Sequence, residues 1–318
     1  MLGNFTTTDH TDGKGLVVTT ADRAGLDTVD RVELMTALAE HGYVLLRGFD
    51  TDPATFSTLI QSVSSRITLD PARKFAGGNV AQKIEAGLVP QGLHVENGAT
   101  PWVPDLVWFY CETPAKVGSQ TTICDGLHVW DRLPARTQEL FLSTRITFAR
   151  PMPEDKWKNL VVRLLDGAKT ADEVVFDDLL AVTDDGVDVK YRLRPDGSVH
   201  YKYFTYAAHT TLFGGDIAFT NSILTPSVNY EPPVIEFEDG RPLDAMLMRQ
   251  IIEATELETE EIDWHAGDVA LVDNSRLMHG RRKIRDPLRS LYNAQSYARD
   301  DVVAAVRERV TSATRRAA

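Results

Sequence analysis

Strand-like segments cluster in the middle of the chain, and this clustering most constrains the fold. Over residues 75–124 short apolar runs alternate with turn residues, and "LVWFYCE" (106–112) gives the strongest strand pattern. Strand patterns return in four later segments: "VHYKYFTY", "DIAFTNSIL", "GDVALVDN" and "RSLYNAQSYA". Strands that follow one another without regularly alternating helices favour antiparallel sheets. The sequence therefore predicts a β-sandwich or barrel core rather than a βαβ fold.

Helical patterns lie mainly at the two ends of this region. "TVDRVELMTALAEHG" has apolar residues at helical spacing and ends in Gly42, and Pro53 opens a second helix. "RPLDAMLMRQIIEATELETEE" predicts another helix, with one apolar stripe. We expect a single domain over 1–318, with a flexible N-terminal segment (1–27), a charged, lid-like insertion (151–200) and a C-terminal helix or tail (299–318).

Composition narrows the class of protein. The chain has 318 residues, of which 43% are hydrophobic and 25% charged, so it can bury a sizeable core. Its formal net charge of −12 argues against a general nucleic-acid or anionic-membrane surface. The sequence lacks an apolar stretch of membrane-spanning length and a signal-peptide pattern, and its two cysteines form no metal-binding pair. We expect a cytoplasmic protein, of an oligomeric state that the sequence does not indicate.

Three residues form a candidate metal site. In "LHVENG", His94 and Glu96 are two positions apart, and residues i and i+2 of a strand point to the same face. This pair either binds a metal or is an ordinary surface pair. His279 follows the strand-like "GDVALVDN" and precedes another strand. Two imidazoles and one carboxylate, with the remaining positions open, make up the facial triad that favours iron(II).

The ordered set of motifs resembles a known family. "AEHGYVLLRGF", "LHVENG", "TPAKVGSQTTICDG" and "GDVALVDNSRLMHGR…DPLRSLYN" occur in this order. They are similar to segments of the iron(II)/2-oxoglutarate dioxygenases of the taurine dioxygenase (TauD/TfdA) and clavaminate synthase-like superfamily. The resemblance runs from about residue 34 to about residue 297. It implies a double-stranded β-helix (jelly-roll) core with flanking helices, and Fe(II), 2-oxoglutarate and O2 as cofactor and co-substrates.

The resemblance also implies roles for the triad. His94, Glu96 and His279 are expected to hold the iron. Glu96 stands in the glutamate version of the ligand pair, one methylene longer than aspartate. Members of the family that halogenate usually lack this carboxylate, so the resemblance argues against halogenation.

Two further residues are expected to bind 2-oxoglutarate. Arg289 matches the arginine that clamps the distal carboxylate, a contact in which a guanidinium makes two parallel charge-assisted hydrogen bonds. Arg282 and Arg285 are alternatives, because the segment between His279 and Arg289 is short. Thr121 is expected to donate a hydroxyl to the same carboxylate, and Thr122 is the alternative, because a shift of one residue exchanges the faces of a strand.

Other residues have two interpretations each. Trp102 either shapes a substrate mouth or belongs to a rigid turn, and Asp273 and Asn274 either orient His279 or end a strand. The basic run "RRKIR" is either a solvated loop or a contact for an anionic substrate or carrier. The aromatic run is expected in the core, at Trp108, Phe109 and Tyr110. Pocket-lining candidates in "VHYKYFTYAAHT" are Tyr201, Tyr203 and His209.

The predicted activity is hydroxylation of an unactivated C–H bond, with release of succinate and CO2. An amino-acid-like or other small specialised metabolite, free or tethered to a carrier, is the expected substrate. Desaturation or cyclisation at the same centre is an alternative outcome. Two further alternatives are a zinc-dependent hydrolase that uses the same three residues and a non-catalytic jelly-roll binding protein.

Overall fold

A computed structural model describes residues 5–11, 14–68, 75–76, 81–84, 87–183, 188–225 and 231–317. The strands are β1 Thr6–Thr11, β2 Lys14–Thr19, β3 Tyr43–Arg47, β4 Ser64–Thr68, β5 Phe75–Ala76, β6 Ala81–Lys83, β7 Gln91–His94, β8 Leu106–Thr113, β9 Thr121–Asp125, β10 Ile146–Met152, β11 Val189–Leu193, β12 Val199–Thr205, β13 Ala208–Thr210, β14 Ile217–Phe219, β15 Val234–Phe237, β16 Thr259–Ile262, β17 Val269–Asp273, β18 Leu277–Arg281 and β19 Ser290–Ala298. The helices are α1 Arg31–His41, α2 Pro53–Val63, α3 Gly126–Arg132, α4 Ala135–Ser143, α5 Glu154–Leu164, α6 Phe176–Ala181, α7 Ala245–Glu258 and α8 Asp300–Ala317, with a short 3-10 helix at Leu26–Thr28.

Two sheets form the core, and their arrangement confirms the predicted jelly roll. The major sheet has the order β1-β2-β3-β17-β8-β19-β6-β5, with β4 also paired to β19. The minor sheet has the order β16-β9-β18-β7. Most neighbours are antiparallel; β2 and β3 are parallel. Apolar side chains from both sheets meet in one buried cluster, which includes Leu45, Phe109, Ile123, Val272 and Leu291.

Helices cover the outer faces of the sheets, as the sequence patterns predict. The Asp30 side chain accepts hydrogen bonds from two backbone N–H groups at the start of α1, and Gly42 ends the helix at a φ of 77°. Leu34 and Leu38 of α1 pack with residues of α2 and α8 over the major sheet. The minor sheet is covered in the same way by α3, α4 and α7.

The N-terminal segment differs from its prediction. Its polar composition predicts flexibility over 1–27, but β1 and β2 form a hairpin whose second strand pairs with β3. The hairpin is held because Val17 and Val18 are buried, the latter completely. At the other end, α8 packs on α1 through Val302 and Val306 rather than lying free on the surface.

The segment 151–200 packs around a core of its own. It contains α5, α6 and β11, and its two ends are the last residues of β10 and the first of β12. These strands belong to a separate four-stranded sheet, β11-β12-β10-β15. A small apolar cluster holds the helices to that sheet, through Trp157, Val161, Val174, Leu179 and Val199.

Two further sequence expectations concern membrane-spanning segments and the two cysteines. Within the described ranges, no helix combines the length and apolar character needed to cross a bilayer. Cys111 and Cys124 are both free and buried, and burial raises the pKa of each thiol to about 12.

Candidate active site

The register of the minor sheet brings the two predicted histidine ligands together. Strand β18 lies between β7 and β9, and His279 pairs with His94 on one side and with Ile123 on the other. Residues paired across antiparallel strands share a face. The two imidazole rings are therefore neighbours, with centroids 4.6 Å apart.

Glu96 reaches the histidines by a different route from the one that the sequence suggests. Strand β7 ends at His94, so Glu96 lies in the following turn and does not share a strand face with His94. Its Oε1 nevertheless lies 3.5 Å from Nε2 of His279. One ligand atom from each of His94, Glu96 and His279 falls within 4.8 Å of the others. The side chain of His279 is only 5% exposed and that of Glu96 14% exposed.

Hydrogen bonding indicates which ring nitrogen of His94 is available to bind a metal. Nδ1 of His94 lies 2.9 Å from the carbonyl oxygen of Gly92, and a carbonyl can only accept, so Nδ1 carries the proton. In the neutral imidazole, Nε2 then has the lone pair that a metal requires. His279 packs edge-on against Phe109, and among the described residues its buried Nδ1 has no hydrogen-bond partner.

Asp273 and Asn274, which the sequence offers as supports for His279, contact other groups. Oδ1 of Asp273 accepts from the backbone N–H and the hydroxyl of Ser275, at 2.9 and 2.5 Å. Asn274 bonds to the main chain of Glu96. The residue after the strand thus supports the carboxylate ligand rather than the histidine.

The donor set fits a catalytic metal. Two imidazole nitrogens and one carboxylate oxygen converge at the wall of a cavity of about 1560 Å³, so these residues would hold a metal that is open to the cavity. A structural zinc site would instead have four protein ligands. Three ligands on one face, with open positions opposite, are typical of non-haem iron(II) oxygenases.

Arg289 lines this cavity and carries the charge expected of an anion anchor. Burial, and secondarily the nearby Arg281 guanidinium, lower the pKa of Arg289 to about 10, so it is still protonated at neutral pH. Its Nη1 donates to the Ser119 carbonyl at 2.9 Å, and no carboxylate of the described residues forms an ion pair with it. The alternatives lie elsewhere: Arg282 is exposed and bonded to Glu261, and Arg285 is exposed outside the cavity.

Thr121 and Thr122 lie on opposite faces of β9. Thr121 pairs with Arg281 and lines the cavity, whereas Thr122 pairs with Gly280 and is not among the cavity-lining residues. The Thr121 hydroxyl accepts a hydrogen bond from Nε1 of Trp264 at 3.0 Å. Its own proton therefore stays available to a carboxylate in the cavity.

Arg281 lines the cavity, although the sequence indicates it only as the first residue of the basic run "RRKIR". It is 5% exposed, lies two residues beyond His279 on β18, and donates to the Gly87 and Val89 carbonyls. The signal was present in the sequence, because the i, i+2 rule that paired His94 with Glu96 also places Arg281 on the face of His279. Trp264 had no such signal, since it is 143 positions from Thr121.

The remaining candidates divide between cavity and core. Trp102 and Tyr201 line the cavity, and the Tyr201 hydroxyl donates to the Ala99 carbonyl at 3.3 Å. His209 lies outside the cavity lining and contacts the Thr220 hydroxyl. Tyr203 packs against the core beside the minor sheet. The aromatic residues of β8 are buried, as predicted: Trp108, Phe109 and Tyr110. Phe109 also lines the cavity.

Comparisons with known proteins support the fold and identify the family. Residues 10–295 match the family model described as taurine catabolism dioxygenase TauD, TfdA family. A clavaminate synthase-like protein of Arabidopsis thaliana is 24% identical over 281 residues, which cover 81% of this chain and 82% of that protein.

Two solved structures share the fold at low sequence identity. PvcB of Pseudomonas aeruginosa has 11% identity and a TM-score of 0.58, over 93% of this chain and 92% of that one; it is described as an Fe, alpha-ketoglutarate dependent oxygenase from an isonitrile synthetic pathway. AAD-2, solved with Mn(II) and N-oxalylglycine, has 12% identity and a TM-score of 0.61, over 93% of this chain and 98% of that one.

Proposed function

The chain belongs to the TauD/TfdA family of dioxygenases, and on this premise we propose that it is an Fe(II)/2-oxoglutarate-dependent hydroxylase of a small, amino-acid-like metabolite. His94, Glu96 and His279 hold the iron, and 2-oxoglutarate and O2 are the co-substrates. The observation that carries the proposal is the convergence of these three side chains, with ligand atoms within 4.8 Å of one another at a cavity wall.

Each residue around the metal has a defined task in this proposal. Arg289 binds the distal carboxylate of 2-oxoglutarate through charge-assisted hydrogen bonds, and Thr121 donates its hydroxyl to the same group. Together they fix the co-substrate so that its keto-acid end faces the triad. When bound, the iron supplies the oxygen activation that hydroxylates a C–H bond while 2-oxoglutarate yields succinate and CO2.

The cavity walls keep water from the reacting end. Phe109 and Leu291 are 5% and 4% exposed and line the cavity. Residues of the 151–200 insertion also line the cavity, and they include Leu160 and Arg194. We propose that this insertion acts as a lid over the substrate. Such a lid excludes water from the site, and the exclusion of water strengthens the polar contacts within it.

A group of polar side chains near the triad supports a polar substrate. Gln295 Oε1 accepts from Thr68 Oγ1 at 3.1 Å and from Asn97 Nδ2 at 3.4 Å, and all three residues line the cavity. Amide and hydroxyl groups can donate to a carboxylate and accept from an amine, which suits an amino acid or a related amide. We assign this group to the substrate end of the cavity.

Succinate release tests the proposal. Purified protein with Fe(II), ascorbate and 2-oxoglutarate is assayed against a panel of amino acids and amino-acid amides, with Glu96→Ala as the control. The proposal predicts succinate that depends on one panel member, together with a product heavier by one oxygen. A product lighter by two hydrogens would assign desaturation or cyclisation instead. Turnover of an ester or amide with zinc and without 2-oxoglutarate would refute the oxygenase.

A further inference from the structure

Asn274 has a buried amide that links the two segments of the candidate metal site, one with His94 and Glu96 and the other with His279. It is 1% exposed, follows β17, and precedes His279 by five positions. Its Oδ1 accepts from the backbone N–H of Glu96 at 3.0 Å. Its Nδ2 donates to the carbonyls of Pro104, at 2.8 Å, and of Glu96, at 3.4 Å. One side chain therefore contacts both main-chain polar groups of the carboxylate ligand.

The backbone of Asn274 strengthens the same connection. Its N–H donates to the Asp105 carbonyl at 2.9 Å, so the residue is bonded to both ends of the segment from Glu96 to Asp105. That segment connects the turn that carries Glu96 to strand β8. The β17–β18 connection, which leads to His279, is thereby fixed to the chain that carries the other two ligands.

The position of Glu96 is not fixed by strand pairing, so a contact that holds its backbone is important. Because β7 ends at His94, Glu96 lies beyond the ladder that aligns His94 with His279. A glutamate side chain also has one more rotatable bond than an aspartate. The position of its carboxylate relative to His279 therefore depends on where the backbone of the turn is held.

We propose that Asn274 is the positioning residue for Glu96, and that its side-chain amide sets the affinity of the three-residue site for its metal. The inference rests on the proposed function, because it takes the triad to be a metal site. Asn274 does not line the cavity, so it touches neither substrate nor co-substrate. Loss of a residue that orients a ligand typically weakens metal binding by roughly 10- to 100-fold, and we expect a loss in this range for Asn274→Ala.

Co(II) binding measures this effect without any turnover. Apo protein is titrated with Co(II) under argon, and Kd is read from the visible d–d absorption. Unfolding free energies of the apo proteins are measured in parallel with urea. His94→Ala serves as the reference for loss of the site itself. Asn221→Ala is the matched structural control, because Asn221 is 4% exposed and its amide likewise bonds the backbone, at Ala207 and Ile223.

The outcomes separate positioning from stability. Support requires that Asn274→Ala weakens Co(II) binding by about tenfold or more, while Asn221→Ala, at a similar loss of unfolding free energy, stays within about twofold of wild type. Equal Kd values for wild type and Asn274→Ala would overturn the inference. If Asn274→Ala does not fold, Asn274→Ser decides by the same criteria, because serine has no amide to bond both main-chain groups of Glu96 and adds no charge. Equal Co(II) binding by wild type and His94→Ala would instead refute the metal site.

Discussion

Replacement of Arg289 by lysine tests the co-substrate site in detail. Arg289 uses Nη1 for the Ser119 carbonyl and keeps its other N–H groups for the cavity. A lysine keeps the charge, but a single ammonium cannot bond Ser119 and also make two parallel bonds to a carboxylate. Loss of one charge-assisted hydrogen bond costs about 1.5–3 kcal/mol, which corresponds to roughly 10- to 150-fold weaker binding of 2-oxoglutarate.

The assay is an anaerobic titration. Protein loaded with Fe(II) is titrated with 2-oxoglutarate, and the visible metal-to-ligand charge-transfer band gives Kd. Arg282→Lys is the matched control, because Arg282 lies in the same segment but is exposed and bonded to Glu261. The exposed ion pair between Arg282 and Glu261 contributes little to stability and lies away from the cavity. The control is therefore expected to change the Kd for 2-oxoglutarate by about twofold at most.

Two results would refute the assignment of Arg289. One is a Kd for Arg289→Lys that equals the wild-type value. The other is a loss in Arg282→Lys as large as that in Arg289→Lys, which would place the anchor in the exposed part of the segment. A raised Kd in Arg289→Lys alone, with the metal still bound, is the result expected from the geometry.

Three further predictions concern the hydroxyl, the insertion and a buried acid. Thr121→Val should weaken 2-oxoglutarate binding by roughly 10- to 150-fold, through loss of one hydrogen bond of about 1.5–3 kcal/mol to the carboxylate, whereas Thr122→Val, on the opposite face, should not; the same titration checks both. Trp157→Ala, at a site 2% exposed in the core of the insertion, should cost about 3–5 kcal/mol in urea unfolding and raise KM for the primary substrate without weakening 2-oxoglutarate binding. Burial raises the pKa of Asp273 to about 6, so its proton stabilises the fold at low pH and this stabilisation is lost as pH rises through about 6. The stability of Asp273→Asn relative to wild type should therefore increase by about 2.4 kcal/mol between pH 4 and pH 7, and a pH-independent difference in urea unfolding would contradict the shift.

Features that depend on local sequence were predictable. Strands β8, β17 and β19 follow from short apolar runs between turn residues, and α1 follows from its apolar spacing and from Gly42. The ordered motifs indicated the family, which the match over residues 10–295 confirms. Arg289 and Leu291 are two positions apart, the spacing of residues on one face of a strand, and both line the cavity.

Features that depend on long-range packing were not predictable. The bond between Asn274 and Glu96 joins residues 178 positions apart, and only the folded topology decides that they meet. The i, i+2 spacing of His94 and Glu96 predicts one strand through both residues, but β7 ends at His94. Such a spacing does not show where a strand ends. The N-terminal hairpin was read as a flexible segment, because its first strand, β1, is polar and exposed and is held by pairing with β2.

Anaerobic spectroscopy of the metal complex shows whether His94, Glu96 and His279 bind one iron together. Fe(II) is added stepwise to protein that is saturated with 2-oxoglutarate, and the charge-transfer band is followed in wild type and in the alanine variant of each ligand. We predict that the wild-type band saturates at one iron per chain and is absent from all three variants while they remain folded. A band of full intensity in folded His279→Ala would refute a shared three-residue site, because the iron would then be bound without the imidazole that strand β18 supplies.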